Sequence, residues 1–221
     1  MINNLKANNN TLKILKYLPE ISLIAVGLFI TLLAVLHIIE PEFEPSKHLI
    51  SEYELGHFGW LMSLAFFSLG VGVLSMVIST WIYTKTKGSL VGKWIFLFIS
   101  VALFGAGIFY PYIISNTESK IHTLCGVIVI FTFPIATTLY YNGIKYNQSW
   151  IDSRKWILVA TWLVWLGLIA FFGSLIVFHP ETANDKANLI VGWQNRFMMF
   201  TYSLWLLIVA ERTMLIRNRN K

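Results

Sequence analysis

The chain has 221 residues, 56% of them hydrophobic and 13% charged, with a mean hydropathy of +0.64. A soluble domain of this length cannot hide so much apolar surface, whereas a bilayer supplies an apolar solvent for it. The formal charge of +6 acquires meaning only once its residues are placed on two sides of a membrane.

Residues 1–19 are rich in Asn and Lys and read as a polar tail carrying Lys6, Lys13 and Lys16. The first apolar run covers about 21–39 and ends in His37 and Glu40-Pro41, without a small-residue cleavage site. It exceeds the roughly 7–15 residues of a secretory signal core, so a retained first span is expected. Five more runs follow, at about 57–83, 91–113, 121–143, 156–178 and 197–216. Each approaches or exceeds the roughly 20 residues a helix needs to cross the hydrocarbon. None alternates with the period of a membrane β-strand. Backbone groups in lipid must be satisfied within their own segment, which leaves helices. The expected architecture is all-α. A compact six-helix transmembrane domain spans 20–216, with a basic tail at 217–221.

Lys and Arg set the expected orientation. Thirteen fall in the tails and the second-to-third and fourth-to-fifth connections, against Lys47, Lys120, Lys186 and Arg196 on the other side. The positive-inside rule puts both termini in the cytoplasm, and eight of the eleven acids fall outside. This suits the cytoplasmic membrane of a bacterium. Small residues at Gly56, Gly59 and Ser63, and at Ala102 and Ala106, mark expected close helix approaches. Gly59 is expected to keep the second helix close to a neighbouring one. Pro134 falls inside the fourth span and frees a carbonyl one turn earlier. Trp60, Trp81, Trp94, Trp156 and Trp193 lie near span ends, where amphipathic rings favour the interface. The single cysteine, Cys125, allows no intrachain disulfide and no cysteine-based metal motif, and reads as a small buried hydrophobe.

The polar side chains with chemical potential gather at the outer ends of the spans. All five histidines, His37, His48, His57, His122 and His179, are expected there, with Gln194, Asn195 and Arg196 before the sixth span. If the helix ends converge, Ser51, Glu52, Tyr53, His57, His122, Gln194 and Arg196 line one ligand-binding pocket. Glu52, His57 and His122 are the candidate catalytic groups or metal ligands, since imidazoles and a carboxylate serve either chemistry. The bland alternative is that interfacial histidines merely sit where one end is wet. Arg196 stands on the side that otherwise avoids positive charge, so a carboxylate partner is expected, with Glu52 favoured.

Absences narrow the classes. No span carries Asp, Glu, Lys or Arg near its middle, where ion-coupled transporters generally place one. There is no HExxH zinc pattern. No cofactor is evident, and the basic residues are explained by orientation without nucleic acid. The pattern HLISEYELGHFGWLMSLAF at residues 48–66, with GIFYPY and IHTLCGVIVIFTFP, and WQNR, Trp205 and AER in the last span, resembles the integral-membrane family known as domain of unknown function 998. The likeness runs from about His37 to Arg212. Tyr112 stands where the resemblance would place an Asp. The resemblance implies a compact six-helix membrane domain and no particular reaction. Two functions are carried forward: an outer polar pocket binding a lipid headgroup or small ligand, with membrane lipids as partners, or an enzyme acting on a lipid at the outer leaflet, in one form a metal-dependent hydrolase.

Overall fold

The computed structural model describes residues 15–83, 89–111, 117–177 and 191–219. They form six helices: α1 Leu18–Ile39, α2 Gly59–Tyr83, α3 Leu90–Ile108, α4 Thr117–Ile144, α5 Arg154–Val177 and α6 Gly192–Arg219. Two 3₁₀ segments, Ile50–Leu55 and Gln148–Trp150, lie in the connections. No strand occurs among the described residues. All six helices are long and apolar enough to cross a membrane. Outward faces carry Ile24, Phe98, Trp162, Ile169 and Ile176, all well exposed, as lipid contact requires. Trp60 and Trp193 are exposed at one end of the bundle, Trp94 and Trp156 at the other.

The chain runs up and down, so the start of α1 and the end of α6 share one end. There the Arg217 guanidinium grips the Glu20 carboxylate through two hydrogen bonds, at 2.6 and 2.7 Å. We call this the terminal end, and the opposite one, bearing Ile50–Leu55, the 3₁₀ end. Each helix packs on its sequence neighbours, α1 also closes on α6, and α2 reaches α6 across the bundle.

Without a hydrophobic force between helices in lipid, close packing and interhelical hydrogen bonds must hold the seams. At α1–α2, Ser22 Oγ donates to Gly72 O at 2.8 Å and Ser68 Oγ to Ala25 O at 2.6 Å. A Cβ on Gly72 would lie 2.7 Å from Val26 Cγ2. At α3–α4, a Cβ on Gly92 would meet the backbone of Ala136 and Tyr140 at 2.9 Å. Gly59 is close-packed for a different reason from the expected one. Its absent Cβ would strike Glu54 O at 2.2 Å, so it closes the turn from the 3₁₀ segment into α2 and does not set a helix–helix distance.

α4 continues through Pro134. The proline has no N–H to give Ile130 O, and Tyr202 of α6 supplies the replacement, its hydroxyl donating to that carbonyl at 2.8 Å. The same ring stacks on Phe133 at 4.2 Å. Cys125 is only partly buried, against the gap left by Gly105.

Helix ends depart from the limits of the apolar runs. α3 stops at Ile108 and Phe109 is already extended; Pro111 biases Tyr110 away from the helical region. α6 begins at Gly192, five residues before the apolar run, because Gln194, Asn195 and Arg196 form its first turn. Tyr112 and His179 lie outside the described residues.

Candidate functional site

The turn at Pro45–His48 crosses the start of α6. Gly192 N–H donates to Ser46 O at 2.9 Å, and only glycine fits, since a Cβ would lie 2.2 Å from Pro45 O. This contact lays the following 3₁₀ segment over the bundle. Asn195 Oδ1 then accepts the Ile50 N–H at 3.0 Å. With three residues per turn, Ile50 and Tyr53 face inward and are buried, together with Glu54. Ser51 and Glu52 keep partial exposure.

Arg196 is buried, 8% exposed, and does not pair with Glu52. Its Nε–H donates to His37 Nε2 at 2.6 Å, Nη1 to His48 O at 2.6 Å and Gly192 O at 3.0 Å, and Nη2 to Tyr53 Oη at 3.2 Å. Four of its five N–H donors thus go to neutral acceptors. The Tyr53 ring adds its face, 5.6 Å from the guanidinium. His37 Nδ1 contacts Leu33 O at 2.5 Å, so the proton belongs on Nδ1 and Nε2 is the acceptor for Arg196. Glu52 is turned the other way and engages His48 Nδ1 at 2.5 Å. The expected Arg196–Glu52 pair does not form: Glu52 turns to His48 Nδ1, while its neighbour Tyr53 is the residue that faces Arg196.

A second cluster forms around Glu54. Its side chain is 1% exposed. Oε1 accepts from Ser63 Oγ at 2.9 Å. Oε2 lies 3.4 Å from His122 Nδ1 and has no hydrogen-bond partner among the described residues. Burial pushes the Glu54 pKa up to about 8, against the opposing effect of the Ser63 hydrogen bond. His122 Nδ1 also faces Phe109 O at 2.7 Å and Ala106 O at 3.1 Å, the unsatisfied carbonyls at the end of α3. Those acceptors assign the proton to Nδ1 and leave Nε2 as an acceptor on the opposite edge of the ring. A third carboxylate, Glu40, is 1% exposed and receives the Phe58 N–H at the start of α2, where a helix N-terminus favours an anion.

Beside His122 lies a cavity of about 90 Å³. Its walls are mainly apolar, from Ile50, Phe66, Leu103, Val129, Phe171 and Met199, and its polar members are Ser51, His122 and Asn195. Gly126 also borders it, and a Cβ there would have nothing within 4 Å. The volume holds about three waters or as many methylenes.

Of the expected pocket residues, Ser51 and His122 come to one cavity, with Tyr53 and Arg196 bracing the segment above it. His57 is exposed, set edge-on to Phe58 at 4.8 Å. Gln194 is half-buried and its Oε1 has no partner among the described residues. Glu52, His57 and His122 do not form one ligand set: no group of three His, Cys, Asp or Glu side chains suited to a metal occurs among the described residues. Glu54, Glu40 and Ser63 are members that sequence reasoning did not weigh as site residues, and His37 and Asn195 are members it set at this level without assigning them to the pocket. The one available signal is indirect. Gly56 leaves the space that the Glu40 carboxylate fills, with a Cβ 2.6 Å from its Oε2, and Gly59 the space for Glu54 O.

The family model described as "Protein of unknown function (DUF998)" matches residues 23–212. No curated protein and no solved structure matches the chain.

Proposed function

Because the chain belongs to the DUF998 family, whose description assigns no reaction, we propose a function from its own geometry: it binds the end of a lipid or another small amphiphile in the cavity beneath the 3₁₀ segment. The reading rests on that cavity, which joins an apolar wall to three polar residues, two of which, His122 and Asn195, are held by their own hydrogen bonds. An alkyl end gains from leaving water or headgroup for such a wall, and polar groups at one edge fix its orientation. The volume is too small for a whole phospholipid headgroup, so the ligand enters by a short apolar or mixed segment. The excess of Lys and Arg at the terminal end supports placing that end in the cytoplasm and the cavity near the outer face of a bacterial cytoplasmic membrane.

The test is identification of co-purified lipids by mass spectrometry in mild detergent, for the wild type and Gly126→Val. Valine fills the cavity from a position whose Cβ meets no neighbour. The wild type is expected to retain a lipid species in near-stoichiometric amount, and the variant to retain at least about tenfold less, a loss of roughly 1.4 kcal/mol of binding. Equal retention by both proteins, or none by either, overturns the proposal.

A further inference from the structure

We propose that this cavity is also a serine-dependent acyl-transfer site, with Ser51 as nucleophile, His122 as base and Asn195 as oxyanion donor; the proposal rests on the cavity being a ligand site. These three are the polar residues lining it. No described hydrogen bond, to His122 or to any other group, commits the Ser51 hydroxyl, in contrast to Ser22, Ser63, Ser68 and Ser100, whose hydroxyls are each tied to a carbonyl or carboxylate; the Ser51–His122 contact is one that closes with substrate in place. His122 has its Nδ1–H directed at Phe109 O, so the edge left for proton transfer is Nε2. This is the tautomer a serine–histidine pair requires. Around Nδ1 stand three oxygens: Phe109 O at 2.7 Å, Ala106 O at 3.1 Å and Glu54 Oε2 at 3.4 Å. Together they stabilise the imidazolium that forms when Nε2 takes a proton. Glu54 acts through His122 and is a positioning residue, itself held by Ser63. Asn195 has its Oδ1 occupied by the Ile50 N–H, which fixes the amide and leaves its N–H donors for an oxyanion.

The substrate class is a carboxylic ester whose acyl chain places about three methylenes in the cavity. Ser51 Oγ bonds to the ester carbonyl carbon while its proton passes to His122 Nε2. The tetrahedral oxyanion lies at the Asn195 amide. The bond from carbon to the alkoxy oxygen then breaks, and Nε2 returns the proton to the departing alcohol. Water next attacks the acyl-serine, giving its proton to Nε2. The carbon–Oγ bond breaks, the carboxylic acid leaves, and the proton goes back to Oγ. No metal and no redox partner enters the balance.

The test uses full-length protein in detergent, treated with an alkyl fluorophosphonate and mapped by peptide mass spectrometry. Phosphonylation at Ser51 is expected in the wild type, absent in Ser51→Ala, at least tenfold slower in His122→Gln and lost on heat denaturation. Two ester arms follow, soluble p-nitrophenyl butyrate and a phospholipid in vesicles; release of acid from the second identifies a lipid ester, and release from the first alone a soluble one. If His122→Gln does not melt cooperatively, Glu54→Gln replaces it, with slower labelling and a displaced pH profile expected. Labelling that survives denaturation or maps elsewhere overturns the proposal. So does the lack of any adduct in protein that still retains its lipid, which leaves the binding reading standing. Loss of both adduct and lipid removes both.

Discussion

The two ends of the bundle treat their ionisable groups in opposite ways. At the terminal end arginines meet carboxylates: Arg217 with Glu20 at 2.6 Å, Arg212 with Asp152 at 3.1 Å and Arg219 with Asp152 at 3.3 Å. At the 3₁₀ end Arg196 meets an imidazole, a phenol and two carbonyls, while the buried Glu54 meets a hydroxyl and a histidine. The first arrangement neutralises charge locally and closes the ring between α1 and α6. The second keeps cation and carboxylate apart, and the cavity lies beside the carboxylate cluster. A carboxyl kept away from any cation in a dry site is held largely protonated at neutral pH and keeps its capacity for chemistry.

The widest contrast is in pH dependence. Glu54 has a folded pKa of about 8, above its ordinary value. Its stabilising contribution is therefore complete below about pH 4.5 and is lost as pH rises through 8, at most about 5 kcal/mol. Asp152 is held below the ordinary range by hydrogen bonds from Arg212 and Arg219, so its contribution is lost in the other direction, as pH falls into the acid range. Thermal melting in detergent should show stability declining from pH 5 to 9 in the wild type, with a flatter profile in Glu54→Gln. An unchanged slope in that variant would break the contrast.

Arg196→Lys is the next largest. An ammonium cannot reach four acceptors set around a planar fork, and two backbone carbonyls lose their donor. The expected loss is about 3 kcal/mol, read as a lower melting temperature. A cost below that of a surface Arg219→Lys exchange would show that the neutral cradle is not tight.

Double-mutant cycles sharpen the comparison. Glu20→Gln with Arg217→Gln should show coupling of about 1–2 kcal/mol, because the pair is bidentate. Glu52→Gln with Arg196→Gln should be additive within about 0.5 kcal/mol, because the two share no hydrogen bond. Coupling of the second pair would restore the salt bridge that the sequence alone suggests. The smallest effect is Gly126→Ala, expected to raise stability by up to about 1 kcal/mol through helix propensity; a decrease would mean that the cavity wall does not tolerate even a methyl group.

Six spans, the absence of charge from their centres and the level of the polar residues were legible in the chain, because transfer from water to hydrocarbon is a sum over residues and needs no knowledge of neighbours. Ser51 and His122 could be nominated on that basis, since His122 stands where an apolar run begins and Ser51 in the polar segment that leads into one. What they face was not legible. The 3₁₀ turn, with its period of three, sets Tyr53 on the buried side with Ile50, and Ser63 of α2 holds Glu54 inward while Glu52 stays partly exposed. Gly192 and Asn195 of α6 decide where that turn rests. The carbonyls at the end of α3 decide the tautomer of His122. Ser51, Glu54, His122 and Asn195 come from the 3₁₀ segment, α4 and α6, and a hydrogen bond between such distant stretches depends on positions in space that no local pattern of hydrophobicity or charge encodes.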